Sequence, residues 1–466
     1  MRTRSLLALV AAISLAASTA AANTTPPQTA LVPPYTRVVL DNGLVLLLLE
    51  QHELPLVDFH FVFRTGSVSD PAGKEGLADI TLALLRKGTQ RHTAEQIAEE
   101  LDFLGAELDA STSLEWSSVS AQFLAKDVET GLGLMADMLV RPTFPEAEFR
   151  KVVDLHVDEL REAKDNPRSV IGEYFAAFLF AGHHFGRPRG GTEKSLPEIT
   201  RSDVLRFHEA YVRPNNAILA VVGDFKSGDM KKHVESAFQK WEKNPVTTAQ
   251  TTVATALTGK TVLLVDKPDA VQTYFQIGNV GVAMGNPDDA TLDVVNTIFG
   301  GRFTSWLMTE LRTKSGLSYN AHSRFVQRKV PGPFYISSFT RTADTEKAMD
   351  LALEVLDRLH EQGISQEELQ SAQNYIRGQY PPDYESSGAL ATAIAELEFY
   401  GLDRAWINEH TRKTDAVTVE QARAAITAHY PRENLAIVMI GQADSVRAVA
   451  AKFGPLRTKK ISDPGF

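Results

Sequence analysis

The chain contains two halves with the same order of sequence features, and this duplication constrains its fold more than any other feature. An apolar stretch runs from Asn216 to Gly223 near the end of the first half, and a similar stretch runs from Asn434 to Gly441. The two asparagines, like the two glycines, are 218 positions apart. Each half also begins with two short apolar stretches separated by a proline-containing turn, at 43–49 and 57–63 in the first half and at 261–265 and 272–277 in the second. Matching strands at both ends of two blocks of about 200 residues predict a duplicated domain.

The residues between these strands have the periodicity of amphipathic helices. Apolar side chains recur three or four positions apart within residues 93–104, 145–163, 196–211, 345–362 and 419–429. Residues 244–259 are rich in Thr and Ala and lose this periodicity, which is typical of a linker. Strand pairs at the block edges with helices between them predict an α+β fold rather than a doubly wound parallel sheet. We therefore expect two homologous α/β-sandwich domains, at residues 31–243 and 260–460.

The first 22 residues have the pattern of a secretory signal peptide. Arg2 and Arg4 precede the apolar residues 6–17, and the three alanines at 20–22 offer a cleavage site. The apolar stretch is shorter than the ~20 residues that cross a membrane, so a cleavable signal is favoured over an N-terminal anchor. With no cysteine in the chain, a bacterial periplasm is a suitable compartment. We expect a periplasmic or secreted protein of a Gram-negative bacterium, with no membrane span in the mature chain.

Composition and missing motifs exclude several classes of function. Without cysteine there is no thiolate zinc site, iron–sulfur cluster or cysteine nucleophile. The formal net charge of −10 and the lack of a basic run make nucleic acid an unsuitable partner. Neither a glycine-rich phosphate loop nor a Gly-x-Ser-x-Gly nucleophile motif is present. No two histidines are four positions apart, and the nearest metal-like pattern is the isolated pair His156 and Glu159.

Short motifs spread along both halves resemble those of one enzyme family. They are GSVSD at 66–70, GLA at 76–78, RKGT at 86–89, HFGRP at 184–188, GGT at 190–192, PNN at 214–216, GD at 223–224 and LRTKSGLSY at 311–319. In this order they resemble the pitrilysin/insulinase family of zinc peptidases, which includes the mitochondrial processing peptidase subunits. The resemblance covers nearly the whole chain after the signal sequence. It implies a duplicated metallopeptidase-like fold that forms half of a clam-like chamber.

The resemblance also implies that the zinc site is lost. Active members of the family follow Gly-Leu-Ala with His-x-x-Glu-His, in which the histidines bind zinc and the glutamate activates water. The corresponding positions here are Asp79, Leu82 and Ala83, and only Glu159 matches the third family ligand. Leucine and alanine supply neither a ligand nor a base. We therefore expect that this chain binds no metal or cofactor and does not hydrolyse peptides alone.

The family's second group of active-site residues is retained. Members of the family place an arginine and a tyrosine seven positions apart to bind substrate and stabilise the tetrahedral oxyanion, and Arg312 and Tyr319 match that spacing. Gly316 suits the left-handed position after a helix end. An apolar stripe predicts that helix, formed by Phe303, Trp306, Leu307 and Leu311. The alternative is structural: Arg312 complements the helix dipole and Tyr319 packs in the core.

Some members of this family divide the zinc box and the Arg/Tyr pair between two chains. The resemblance therefore implies a non-zinc-binding subunit of a heteromeric periplasmic metallopeptidase that degrades peptides. The expected partner is a homologous subunit with an intact zinc box, which carries the zinc, in a heterodimer or a larger assembly. The alternative is a catalytically inert family member that acts as a scaffold or a peptide-binding protein.

Overall fold

The computed structural model describes residues 30–249 and 251–466. The signal peptide expected at residues 1–22 lies outside the described residues. The described chain forms two mixed α/β halves, each built on a six-stranded sheet. The predicted fold class, a duplicated α+β sandwich, is confirmed. None of the helices in this part of the chain is long and apolar enough to cross a membrane.

The first half contains strands β1 to β6 and helices α1 to α7. The strands are β1 Thr36–Val39, β2 Val45–Glu50, β3 Leu56–Phe63, β4 Leu108–Thr112, β5 Ser117–Leu124 and β6 Ala217–Gly223. The helices are α1 Leu77–Ala83, α2 Ala94–Leu104, α3 Val128–Val140, α4 Glu146–Asp165, α5 Pro167–Leu179, α6 Arg201–Tyr211 and α7 Ser227–Phe238.

The second half contains strands β7 to β12 and helices α8 to α16. The strands are β7 Lys260–Asp266, β8 Gln272–Val280, β9 Ala321–Phe325, β10 Pro333–Arg341, β11 Leu435–Gly441 and β12 Leu456–Lys460. The helices are α8 Asp289–Asn296, α9 Trp306–Met308, α10 Thr345–Gln362, α11 Gln366–Gln379, α12 Ser387–Tyr400, α13 Ala405–Asn408, α14 His410–Asp415, α15 Val419–His429 and α16 Ala443–Ala450. Two π-helical segments, Thr297–Gly301 and Thr309–Lys314, flank α9.

The two sheets repeat the same strand pairing. Their orders are β1-β2-β6-β3-β5-β4 and β12-β7-β11-β8-β10-β9. In each sheet the repeated strand, β6 or β11, is fully buried and pairs parallel with one neighbour and antiparallel with the other. The sheets differ at one edge, where β1 is antiparallel to β2 but β12 is parallel to β7. The repeat recognised in the sequence is therefore a repeat of the sheet's inner strands.

Each half contributes one helix to the sheet of the other half. Helix α5 packs on β8 and β11, where Val170 and Phe175 are buried with Val438. Helix α12 packs on β3 and β6, where Ile394 is buried with Val62. The opposite face of each sheet is covered by helices of its own half. Both faces of both sheets are thus buried, and the exchanged helices join the halves through their cores.

The chain between the halves, residues 241–249 and 251–258, contains no helix or strand, and the predicted linker at 244–259 falls largely within it. This segment is packed against the protein. Ala254 and Leu257 are partly buried beside α5 and the second sheet. The His183 Nε2–H lies 2.7 Å from the carbonyl oxygen of Thr252. The chain that connects the two halves therefore lies along the surface formed by α5 and the second half.

The helices α10 and α15 have the predicted bounds, and α2 begins after Thr93 with a capping box to Gln96. The prediction of one helix over residues 196–211 was wrong. A 3₁₀ turn at Leu196–Glu198 is followed by Thr200 in an extended conformation, and α6 starts only at Arg201. The Thr200 side chain accepts a hydrogen bond from the Asp203 backbone N–H, so it caps α6 rather than continuing an earlier helix.

Candidate functional site

Helix α1 carries Asp79, Leu82 and Ala83, the positions that the sequence resemblance matches to the family's zinc box. The segment before α1 determines where this helix starts. Gly76 precedes α1 with φ of +98°, a conformation that favours glycine. The buried Asp70 carboxylate accepts hydrogen bonds from the backbone N–H groups of Gly76 (2.8 Å) and Ala78 (2.9 Å). Burial raises the pKa of the Asp70 carboxyl to about 8. Two of the motifs recognised in the sequence, at 66–70 and 76–78, therefore cap α1.

Of the three box positions, only Asp79 has a side chain that could bind a metal. Leu82 is buried in the core of the first half, and Ala83 is half-buried. The Asp79 carboxylate lies 3.7 Å from Nε2 of His156 on α4, and the Nδ1–H of His156 faces the Val152 carbonyl at 2.8 Å. Burial raises the pKa of Asp79, and electrostatic interactions with His156 and Arg189 partly offset this shift. Asp79, the first of the three matched positions, thus forms a carboxylate–imidazole pair with His156.

Glu159, the expected third ligand, is exposed on α4 one turn beyond His156. The sequence analysis did not identify His156 as the α4 residue that contacts Asp79. The helical periodicity of the sequence could have identified it, because His156 lies beside Val153 and Val157 on the buried face of α4. No group of three or more His, Asp and Glu side chains is placed to hold a metal ion in the part of the chain that the structure describes. A catalytic zinc takes three protein ligands, so these residues do not fit the family's metal.

Charged side chains continue from Asp79 toward the second half. Arg189 lies near both Asp79 and Glu173 of α5, and its charge lowers the pKa of each against the effect of burial. Arg328, in the loop between β9 and β10, acts in the same way on Glu173 and on Glu115. Burial still leaves the pKa of both glutamates raised. Charges of alternating sign therefore run from Asp79 to the second half. Glu115 is buried, Glu173 and Arg328 are half-buried, and Arg189 is exposed.

Arg312 lies on the π-helical segment Thr309–Lys314, a kind of distortion often found at functional sites. The segment ends at Ser315, and Gly316 follows with φ of +64°, as predicted. The Gly316 N–H donates to the Arg312 carbonyl at 3.1 Å, which completes the helix end. Tyr319 then lies two residues before β9. The turn at Gly316 brings the side chains of Arg312 and Tyr319 together.

The Arg312 guanidinium lies between two exposed aromatic rings. Its Cζ is 4.3 Å from the ring centre of Tyr319 and 4.7 Å from that of Phe303. Tyr319 is 71% exposed and Phe303 is 64% exposed. The nearby carboxylate of Glu310 pairs instead with Lys314 and Arg358, at 3.0 and 2.8 Å, and within the described residues Arg312 has no acidic partner. The donors of Arg312 and the Tyr319 hydroxyl are available to a ligand.

The structure rules out one alternative for this segment and corrects one prediction. Tyr319 does not pack in the core, as the structural alternative required. Phe303 is not part of a helical stripe, because it precedes α9, whose N-cap is Ser305. Leu307 and Leu311 are buried as expected, and Trp306 is partly buried. The sequence predicted Phe303 as part of the apolar stripe of the helix, and only the three-dimensional arrangement shows its contact with Arg312.

Two family descriptions match the chain. They are "Insulinase (Peptidase family M16)" over residues 46–193 and "Peptidase M16 inactive domain" over residues 198–376. The "Uncharacterized zinc protease YmxG" of Bacillus subtilis is 24% identical over 398 residues, covering 84% of this chain and 96% of that protein. A Mycobacterium leprae protein, also named as an uncharacterized zinc protease, is 29% identical over 398 residues, covering 85% of this chain and 86% of its own.

Solved structures have the same fold over most of their length. A peptidase M16 inactive domain from Pseudomonas fluorescens superposes with a TM-score of 0.83 at 25% identity, covering 92% of this chain and 99% of that one. A protease from Helicobacter pylori superposes with a TM-score of 0.82 at 21% identity, covering 88% of this chain and 99% of that one. The second likeness concerns the fold alone.

Proposed function

Because the chain belongs to the insulinase family of peptidases, family M16, we propose that it is the non-zinc-binding subunit of a heteromeric periplasmic metallopeptidase that degrades peptides. The observation that carries this proposal is the exposed Arg312–Tyr319 pair, in a chain where only one of the three matched zinc-box positions, Asp79, has a metal-binding side chain. A purely structural Arg/Tyr pair would be expected to bury the ring and to pair the guanidinium. Here the ring is exposed, and the guanidinium has aromatic neighbours but no carboxylate.

In this proposal Arg312 and Tyr319 act as hydrogen-bond donors to the substrate. The guanidinium presents a rigid fork of N–H groups and the phenol presents one O–H. Aimed at the scissile carbonyl oxygen, they polarise it and stabilise the oxyanion that forms there. Each well-placed donor contributes roughly 3 kcal/mol to such stabilisation. Stacking between Phe303 and Tyr319 limits the motion of the guanidinium, so less entropy is lost when substrate binds.

The proposed partner is a homologous subunit with an intact zinc box. It would supply the metal and the water-activating glutamate, since Leu82 and Ala83 of this chain have no acid–base group. Peptides would bind between the two subunits, in a heterodimer or a larger assembly. Periplasmic location rests on the signal-like residues 1–22.

Reconstitution tests the proposal. The chain without residues 1–22 is co-expressed with a zinc-box homologue from the same genome, and the complex is isolated by gel filtration. We expect a stable complex with peptidase activity that neither subunit has alone. If the zinc-box subunit binds this chain but cleaves peptides equally fast without it, the chain is a scaffold or peptide-binding subunit and the catalytic assignment is wrong.

A further inference from the structure

A cavity of about 380 Å³ lies in the second half, between α12, α13 and the turn that precedes α12. Three aromatic side chains line it: Tyr384, Tyr400 and Trp406. Two carboxylates, those of Asp383 and Glu396, also face it. The described residues that line this cavity include no lysine, arginine or histidine. The lining of the cavity therefore combines aromatic side chains with two carboxylates and no basic side chain.

Glu396 is the most informative of these residues. It is half-buried on α12, and within the described chain its carboxylate has neither a hydrogen bond nor an ion pair. Burial alone raises its pKa. Tyr384, which lies in the turn before α12 and also lines the cavity, donates its hydroxyl proton to Tyr380 at 3.2 Å, so its O–H already has a partner. This carboxylate is partly shielded from water and has no cationic partner, so it would attract a cation that enters the cavity.

A basic side chain of the protein already lies near one of these rings. Lys413 Nζ is 5.7 Å from the ring centre of Trp406. Lys413 lines a neighbouring cavity that shares Trp406 and is not among the residues around Glu396. It also lies 3.8 Å from Glu409, which compensates its charge. Lys413 therefore leaves Glu396 without a counter-charge.

We propose that this cavity binds an organic cation, an alkylammonium or guanidinium group of the size of a lysine or arginine side chain. Glu396 pairs with the cationic head, and the rings of Tyr384, Tyr400 and Trp406 surround it as in other aromatic cation sites. The apolar side chain of Leu397 contacts the alkyl stem. The volume is at the small end of ligand sites, which suits one side chain or a small amine. The site shares no residue with the Arg312–Tyr319 pair, so it stands whether or not the peptidase proposal holds.

Calorimetric titration of the full chain without residues 1–22 tests the proposal. The probes are Nα-acetyl-lysine amide, Nα-acetyl-arginine amide and 1,5-diaminopentane, with neutral Nα-acetyl-norleucine amide as the matched control. We expect the cations to bind at least tenfold more tightly than the norleucine probe. Tighter binding of the amino-acid amides than of the diamine would identify a peptide side chain as the source, and the reverse order a free amine. Equal binding of lysine and norleucine probes, or no binding of any cation, would overturn the proposal.

Variants connect the binding to the cavity. Glu396→Gln keeps the side-chain size and should weaken lysine-amide binding at least tenfold. Trp406→Leu removes a ring face and should weaken it as well, which provides a second test if Glu396→Gln lowers stability. Glu385→Gln, an exposed glutamate just before α12 and outside the cavity lining, is the control and should bind like the parent. Unchanged binding by a folded Glu396→Gln protein would contradict the assignment.

Discussion

At the scale of single residues, the rings of Phe303 and Tyr319 determine how the guanidinium of Arg312 is held. Its guanidinium lies between the rings of Phe303 and Tyr319, both of which are largely exposed. Two exposed rings beside one cation form an apolar patch rimmed by polar groups, a feature typical of interaction sites. Here they hold a cation that lacks a carboxylate partner in the described residues, so the group is ordered and still able to donate. This is what a preorganised donor to an oxyanion requires.

Tyr319→Phe removes one hydroxyl and keeps the ring that stacks on Arg312. In the reconstituted complex we expect kcat to fall about 100-fold, the size of effect seen when one oxyanion donor is lost. KM should change much less, because the donor acts mainly on the transition state. Melting temperature and complex formation should stay near those of the parent, since the hydroxyl is at an exposed position. An unchanged kcat would show that Tyr319 has no catalytic part.

The metal content of the chain depends on four positions. Leu82 and Ala83 have no donor atoms, and Glu159 is exposed beyond the Asp79–His156 pair. We therefore expect the purified chain to contain well under one zinc per molecule by elemental analysis after dialysis. If the purified chain contains one equivalent of zinc and the Glu159→Ala variant does not, the residues of α1 and α4 still bind metal.

One buried histidine, His60, and one half-buried histidine, His208, make stability depend on pH. Burial lowers the pKa values of His60 and His208 to about 4, below the ordinary value of 6.5. Because the unfolded chain takes up these protons first, the stabilising contribution is complete above pH 6.5 and is lost as the pH falls toward 4. Each shift corresponds to up to about 3 kcal/mol. Because burial raises the pKa of Asp70, its contribution to the unfolding free energy changes with pH in the opposite direction between about pH 4 and 8. A variant is therefore needed to separate the contribution of the histidines from that of Asp70.

His208→Gln provides that separation. A glutamine amide can still donate to the Leu139 carbonyl, which His208 Nε2 approaches to 2.9 Å. It does not titrate, so the unfolding free energy of the variant should fall less than that of the parent between pH 6.5 and 4. Urea denaturation at several pH values measures the difference. Parallel pH profiles for the two proteins would mean that His208 is not held neutral.

At the scale of secondary-structure elements, α5 and α12 matter most, because each belongs to one half and covers the sheet of the other. The sequence analysis did not identify either helix. Apolar and small residues cover more than one side of both, as in the alanine-rich run 389–395. A helix that is buried on more than one side has no separate polar face, so its sequence lacks the 3.6-residue hydrophobic period of an amphipathic helix. Surface helices such as α10 and α15 keep that polarity and were predicted correctly.

Phe175→Ala tests the role of α5. Phe175 is 1% exposed, in the cluster that α5 forms with the second sheet. We expect its truncation to lower the free energy of unfolding by about 3–5 kcal/mol, the usual cost of such a cavity. Arg168→Ala, at an exposed position of the same helix, should change it by less than about 0.5 kcal/mol. Similar effects of the two substitutions in guanidinium denaturation would show that α5 does not stabilise the second half.

At the scale of the whole molecule, the exchanged helices make each half dependent on the other. Alone, either half would expose the outer face of its sheet and the apolar side of its exchanged helix. We expect residues 30–243 and 260–466 to be largely insoluble when expressed separately and to form a soluble complex when co-expressed. Gel filtration of the soluble fraction distinguishes these outcomes. Two soluble, monomeric halves with cooperative unfolding would show that the cores are independent.

The sequence by itself determined the duplication, the two sheets and the family, and it predicts a degenerate zinc box on α1 and an Arg/Tyr pair at positions 312 and 319. These depend on local information: alternation and apolar runs for strands, capping residues for helices, and short motifs at fixed spacing. Only the tertiary structure decided that α5 and α12 cross between the halves and that His156 faces Asp79. It also brought Phe303 onto Arg312 and left Glu396 unpaired in an aromatic cavity. Each of these contacts joins residues from separate elements, and no local pattern specifies which distant face a side chain will meet.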